Sequence, residues 1–248
     1  MGNPVVHFEI GGPDDEPLVR FYGALFGWDL KKVPGGIYYT LVDIRAGGGV
    51  NGGIGKSSTG EPWATFYAEA DDLQPVLDKA ESLGGKTAMP IVEVPGMVTF
   101  AMFTDPDGLL VGLVKREEPQ EGVAQGPSAG DGAAVDWFEV LGSDAARTRA
   151  FYTGLFGWKL NDSGFPGYGL VDTDAAGRGI QGGVGAGGDS RWATVYASVP
   201  DVEQALVRAA QLGGTRLYGP NAVDDHTQTG AFRDPAGNVF GVYHHGEH

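Results

Sequence analysis

This chain is written twice, and that constrains its fold more than any other feature. FYGALFGWDL at 21–30 is followed by FYTGLFGWKL at 151–160. HFEI at 7–10 answers to WFEV at 137–140, and PWATFYAEADD at 62–72 to RWATVYASVPD at 191–201. FTDPDGLLVGLV at 103–114 answers to FRDPAGNVFGVY at 232–243. The offset is 130 positions early in each half and 129 later, which implies a single one-residue indel between the copies. A unit this long is a whole domain, not a solenoid repeat. The expected organisation is therefore a first domain over 3–115, a linker over 116–132 and a second domain over 133–245. The connecting sequence KREEPQEGVAQGPSAGDG is charged, then rich in Gly, Pro and Ser, as in an exposed connector.

Periodicity predicts the elements of each half. VVHFEI reads as a short strand. Leu18, Phe21, Tyr22 and Leu25 recur at spacings of three and four, one apolar stripe of a helix. Gly27 follows as its C-cap, because glycine enters the left-handed conformation without steric cost. WDLKK, YYTLV and VNGGI then read as three strands. The pattern restarts with a strand at WATFYAEA, a helix over LQPVLDKAESLGG and three more strands, the last two joined by a hairpin turn at DPDG. The order is βαβββ, twice per half and four times in the chain. The fold class is α+β, with helices on one face of curved mixed sheets.

Composition removes several function classes. There is no cysteine, which excludes thiolate metal sites and cysteine nucleophiles together. A net charge of −15 argues against a phosphate-backbone partner, so no nucleic acid is expected. No apolar run approaches a membrane span and the N-terminus is not a signal peptide, so the expectation is a cytoplasmic protein without a membrane partner. The acidity serves solubility or attracts a cationic ligand. GGGVNGGIGKSS at 47–58 looks like a phosphate-binding loop, but Val50 stands where the template needs glycine and no helix pattern follows.

A histidine on the first strand, FY-xx-LFGW at the end of the first helix, an acidic entry to the second helix and D-P-x-G before the last strand together resemble the vicinal oxygen chelate superfamily. It includes the glyoxalase I, bleomycin-resistance and extradiol dioxygenase proteins. The nearest likeness is to tandem two-domain glyoxalase-like proteins of actinobacterial type. Enzymes of that superfamily hold a divalent metal with four side chains, drawn from the first and last strands of the βαβββ units. Mapped here, those positions fall on His7, Thr65, Gly112 and the Asn51/Gly52 region in the first half. In the second they fall on Trp137, Thr194, Gly241 and the Gln181/Gly182 pair. One histidine is not a metal site, since catalytic zinc wants three protein ligands and non-haem iron a 2-His-1-carboxylate triad. The resemblance thus implies no metal ligands of the family's kind and no cofactor.

Strand alternation sorts the remaining candidates. His7 and Glu9 share a strand face and are the candidate acid/base pair; Trp137 and Glu139 replace them in the second half. Trp63, Thr65 and Tyr67 share one face of the fifth strand, with Trp192, Thr194 and Tyr196 as their counterparts. These residues line a concave ligand pocket or close a core. Bare Gly112 and Gly241 favour the pocket, by making room. His226, in AVDDHTQTG, reads as a solvated turn, and HHGEH at the C-terminus as a frayed end.

Three functions remain. One is metal-free binding of a small aromatic or cationic molecule in a concave cavity. Another is an enzyme, lyase, dioxygenase or hydroxylase-like, using His7 and Glu9 or a displaced metal site. The third is a structural or interaction protein whose cavities are closed. The expected oligomeric state is a monomeric pseudo-dimer or a weak homodimer.

Overall fold

The computed structural model describes residues 2–34, 38–117, 126–175 and 177–246. Four βαβββ modules follow one another. The first is β1 (Val5–Gly12), α1 (Asp15–Phe26), β2 (Asp29–Lys32), β3 (Tyr39–Asp43) and β4 (Gly52–Lys56). The second is β5 (Trp63–Ala70), α2 (Leu73–Ser82), β6 (Lys86–Val94), β7 (Val98–Thr104) and β8 (Leu110–Lys115). The third is β9 (Val135–Gly142), α3 (Ala145–Phe156), β10 (Lys159–Asp162), β11 (Gly169–Asp172) and β12 (Gln181–Ala186). The fourth is β13 (Trp192–Ser198), α4 (Val202–Gln211), β14 (Thr215–Ala222), β15 (Thr227–Arg233) and β16 (Val239–His245).

Local chemistry sets the helix ends. Asp14 caps α1 by accepting from the Glu16 amide, and Asp72, Asp144 and Asp201 cap the other three helices. Gly27 and Gly157 end α1 and α3 in the left-handed conformation, both at φ 70°. Each half forms one mixed eight-stranded sheet, in the orders β2-β3-β4-β1-β5-β8-β7-β6 and β10-β11-β12-β9-β13-β16-β15-β14. β1 runs parallel to β4 and β5 to β8, while the hairpin neighbours are antiparallel. The edge strand β2 carries exposed Lys31 and Lys32, which discourages pairing with another chain. None of the helices among the described residues is long and apolar enough to cross a membrane.

The compact units do not follow the repeat. One comprises Met1–His7, Thr65–Val123 and Trp137–Ala193, so the second module packs with the third. The other comprises Phe8–Ala64, Ala124–Asp136 and Thr194–His248, so the first packs with the fourth. The doubled octet does this packing. In one unit Phe21 and Phe26 meet Phe232, and the buried Tyr22 hydroxyl donates to Asp234 Oδ2 at 3.1 Å. In the other Phe151 and Phe156 meet Phe103, and the Tyr152 hydroxyl donates to Asp105 Oδ2 at 3.1 Å. Trp28 and Trp158, which close the octets, donate their indole N–H groups to the carbonyls of Ala133 and Asn3.

Two sequence expectations are corrected. Strand register shows more than one indel: Asp29 corresponds to Lys159 and Asp43 to Asp172, yet Gly52 corresponds to Gly182. The offset drops by one before β3, recovers before β4 and drops again before β5, because loop lengths drift while paired strands cannot slip. The C-terminus is not frayed through its histidines. His244 and His245 belong to β16, with His244 Nδ1 3.1 Å from the Val199 carbonyl and His245 Nδ1 2.8 Å from the Thr227 hydroxyl; Glu247 and His248 lie outside the described residues. The connector is exposed over most of its described part, as expected, and Ser128 and Gly132 hydrogen-bond to the end of β3 and the turn after it. Residues 118–125 of that connector lie outside the described residues.

Candidate functional site

Three residues of the first half stand where the resemblance places metal ligands: His7 on β1, Thr65 on β5 and Gly112 on β8. All belong to one compact unit. His7 is half-buried and meets the Tyr67 ring edge-on, with centroids 5.6 Å apart. The Thr65 hydroxyl donates to the Leu110 carbonyl at 2.6 Å, so it serves the sheet backbone. Gly112 lies directly beneath Tyr67, and a Cβ there would overlap the ring. The glycine was expected to make room. It instead makes a contact, because a strand position without a side chain lets a neighbouring aromatic lie flat on the backbone. The Tyr67 hydroxyl extends toward Met102 Sδ at 3.8 Å.

The second half repeats this arrangement. Tyr196 lies over Gly241, and its hydroxyl is 3.0 Å from that of Tyr218. The Thr194 hydroxyl donates to the Val239 carbonyl at 2.7 Å. Trp137 is half-buried on β9, opposite Gln181 of β12. Among the described residues no three His, Asp or Glu side chains are grouped to hold a metal ion. One imidazole, backbone-bonded hydroxyls and tyrosine-covered glycines do not fit the four-ligand metal of the family.

A second pair of clusters surrounds the strand glutamates. In one unit, Glu139 accepts from the Tyr168 hydroxyl through Oε1 at 3.0 Å and from the Trp192 indole through Oε2 at 2.8 Å. In the other, Glu9 accepts from the Tyr39 hydroxyl, and burial together with that carboxylate pushes the Tyr39 pKa well above its ordinary value. Tyr39 and Tyr168 reach their glutamates by crossing Gly53 and Gly183, where any Cβ would overlap the phenol. Trp63 departs from its twin. Its ring lies over Gly11, and its Nε1 is the one buried side-chain nitrogen or oxygen among the described residues with no hydrogen-bond partner.

The candidates therefore fall into separate groups: His7, Thr65 and Tyr67; Glu9 and Trp63; Glu139 and Trp192; Thr194 and Tyr196. Sequence reasoning missed Tyr39 and Tyr168. The signal was the GG pair in VNGGI and IQGGV, since paired glycines inside a strand mark a close approach from a neighbouring strand. It also missed Glu69, which is buried and held by Arg116 Nε at 3.0 Å and by Arg178 at 2.6 and 2.9 Å. Both guanidiniums neutralise that carboxylate. His226 is exposed in a turn closed by Asp224, as expected.

A family model described as Glyoxalase/Bleomycin resistance protein/Dioxygenase superfamily matches residues 5–113 and again 134–242. The chain belongs to that superfamily. This glyoxalase-superfamily protein is 29% identical over 231 residues to the anthracycline biosynthesis protein DauV of Streptomyces sp. strain C5, covering 84% of this chain and 81% of the relative. Its identity and coverage against DnrV of Streptomyces peucetius, also an anthracycline biosynthesis protein, are the same. Among solved structures it resembles the Mn(II)-bound glyoxalase of Novosphingobium aromaticivorans, with a TM-score of 0.65 at 16% identity over 99% of this chain and 83% of that one. The 2,3-dioxygenase LapB of Pseudomonas sp. KL28 gives 0.63 at 15% identity, over 100% of this chain and 94% of that one. These likenesses show the fold.

Proposed function

We propose that this chain binds a flat aromatic small molecule bearing a cationic group, and that it does so without the family's metal. Tyr67 over Gly112 carries this reading. It puts an aromatic surface where a ligating carboxylate would stand, and Tyr196 over Gly241 repeats it. Aromatic faces offer stacking and cation–π contact to a planar ring, and Glu9 offers it negative charge. The net charge of −15 draws a cationic ligand toward the protein. Similarity to two anthracycline biosynthesis proteins suggests a polycyclic aromatic ligand of that kind.

Titration with doxorubicin, read by tryptophan quenching and calorimetry before and after chelator treatment, tests the proposal. Binding that survives chelation is expected, with about 2.7 kcal/mol of added stability at a hundredfold its Kd. Stoichiometric metal lost from wild type but absent from His7→Ala would overturn the metal-free reading. Turnover of the ligand that disappears in a folded His7→Ala protein would replace binding with catalysis that uses His7.

A further inference from the structure

Both halves carry the same parts around their strand glutamate, yet they arrange them differently. Glu9 and Glu139, Tyr39 and Tyr168, Gly53 and Gly183, Gly55 and Gly185, and Trp63 and Trp192 correspond. Gly11 and Leu141 do not. Gly11 pairs with Gly55 in the β1–β4 register, and Leu141 with Gly185 in the equivalent β12–β9 register. Strand alternation puts position 11 on the face of Glu9, and position 141 on the face of Glu139.

That one difference goes with two different tryptophan positions. With no side chain at Gly11, the Trp63 ring settles on the β1 backbone, its outer edge 3.7 Å from where a Cβ on Gly55 would stand. Leu141 stands at the equivalent strand position, and Trp192 donates its indole N–H to Glu139. Glu139 then has both oxygens engaged, by Tyr168 and Trp192. The Trp63 N–H is buried with no partner. A buried unpaired donor costs about 1–3 kcal/mol, so native proteins almost always supply it an acceptor. The other described indoles with printed bonds, Trp28, Trp158 and Trp192, all have one.

We propose that the Trp63 indole N–H is the donor that recognises the ligand, that the ligand presents a ketone or quinone carbonyl oxygen to it, and that the Glu139 cluster, closed by Leu141 and Trp192, takes no ligand. This rests on the small-molecule-binding reading above. It adds that, of the two glutamate clusters, only that of Glu9 takes ligand, and that Gly11 against Leu141 decides this.

The test has two arms on the full chain. In the first, indole N–H exchange is followed by NMR without ligand. The Trp192 resonance is expected to be hydrogen-bonded and slow, and that of Trp63 to lack this signature until Gly11→Leu drives the ring onto Glu9. Matching hydrogen-bonded signatures for Trp63 and Trp192 in wild type would overturn the proposed switch. In the second arm doxorubicin is titrated. Wild type is expected to bind one equivalent and Leu141→Gly two. Trp63→Phe, which keeps a ring but loses the donor, should bind about tenfold more weakly while being no less stable without ligand. Unchanged affinity in Trp63→Phe, or two equivalents in wild type, would overturn the proposal even if Gly11→Leu fails to fold. No doxorubicin binding in wild type would overturn the anthracycline reading and the ligand half of this proposal, leaving the rotamer switch to be judged by the exchange arm.

Discussion

Removing one hydroxyl from each doubled octet should have unequal effects, and the inequality can be worked out from the acceptors. Tyr22 and Tyr152 are both fully buried and each donates to a buried aspartate at 3.1 Å. Asp234 is held four ways: Ala236 and Asn238 amides on Oδ1, with Tyr22 and the Asn238 side chain on Oδ2. Asp105 has the Asp107 and Leu109 amides on Oδ1, but only Tyr152 on Oδ2 among the described residues. Leu109 stands where the second half has Asn238. Tyr22→Phe therefore leaves its carboxylate oxygen satisfied and should cost about 1 kcal/mol. Tyr152→Phe strands a buried charged oxygen and should cost about 1.5–3 kcal/mol.

The penalty should also depend on pH. Burial pushes the Asp105 carboxyl above its ordinary range, and the Tyr152 bond opposes that shift. A raised folded-state pKa means that ionisation costs stability as pH rises from the unfolded pKa through the folded one. The bond stabilises the ionised form more than the neutral acid, which accepts more weakly, so the Tyr152→Phe penalty is complete at neutral pH and shrinks as Asp105 is protonated. Urea unfolding of both variants at neutral pH and near pH 4 checks this, through the midpoint at unchanged m-value. Equal penalties for the two variants, or a Tyr152→Phe penalty that grows on acidification, would refute the reasoning.

Three further outcomes follow from the same structure. Asp107 is held by Ser143 and Arg147, which outweigh its desolvation and lower its pKa, so its contribution is present above the unfolded pKa and lost as pH falls through the folded one. Asp107→Ala should cost about 1–2 kcal/mol at neutral pH by urea unfolding, with the difference from wild type shrinking as acidification protonates Asp107. Glu69→Gln should destabilise by about 1–3 kcal/mol, because Arg116 and Arg178 lose a buried counter-charge but can turn partly to water; thermal unfolding reads it. Gly27→Ala and Gly157→Ala should each cost about 1 kcal/mol and by equal amounts, since both sit at φ 70° with open space around the added methyl.

The sequence by itself determined the module and its number. Helical spacing in the octets, strand alternation, glycine stops and the DPxG turns are local signals, and local signals survive in one dimension. They yielded four βαβββ units, the α+β class and the superfamily. Likewise His7, Glu9, Thr65 and Tyr67 could be placed on strand faces by counting. What counting could not supply was partnership. FYGALFGW reads as a helix end, but that its tyrosine docks on the aspartate turn of the other half depends on contacts more than 200 residues apart. Nor could alternation say that Tyr67 would lie on Gly112, or that Trp63 would lie over Gly11 while Trp192 donates to Glu139. Such outcomes are fixed by which side chain occupies a shared space, and only the tertiary structure decides which residues share it.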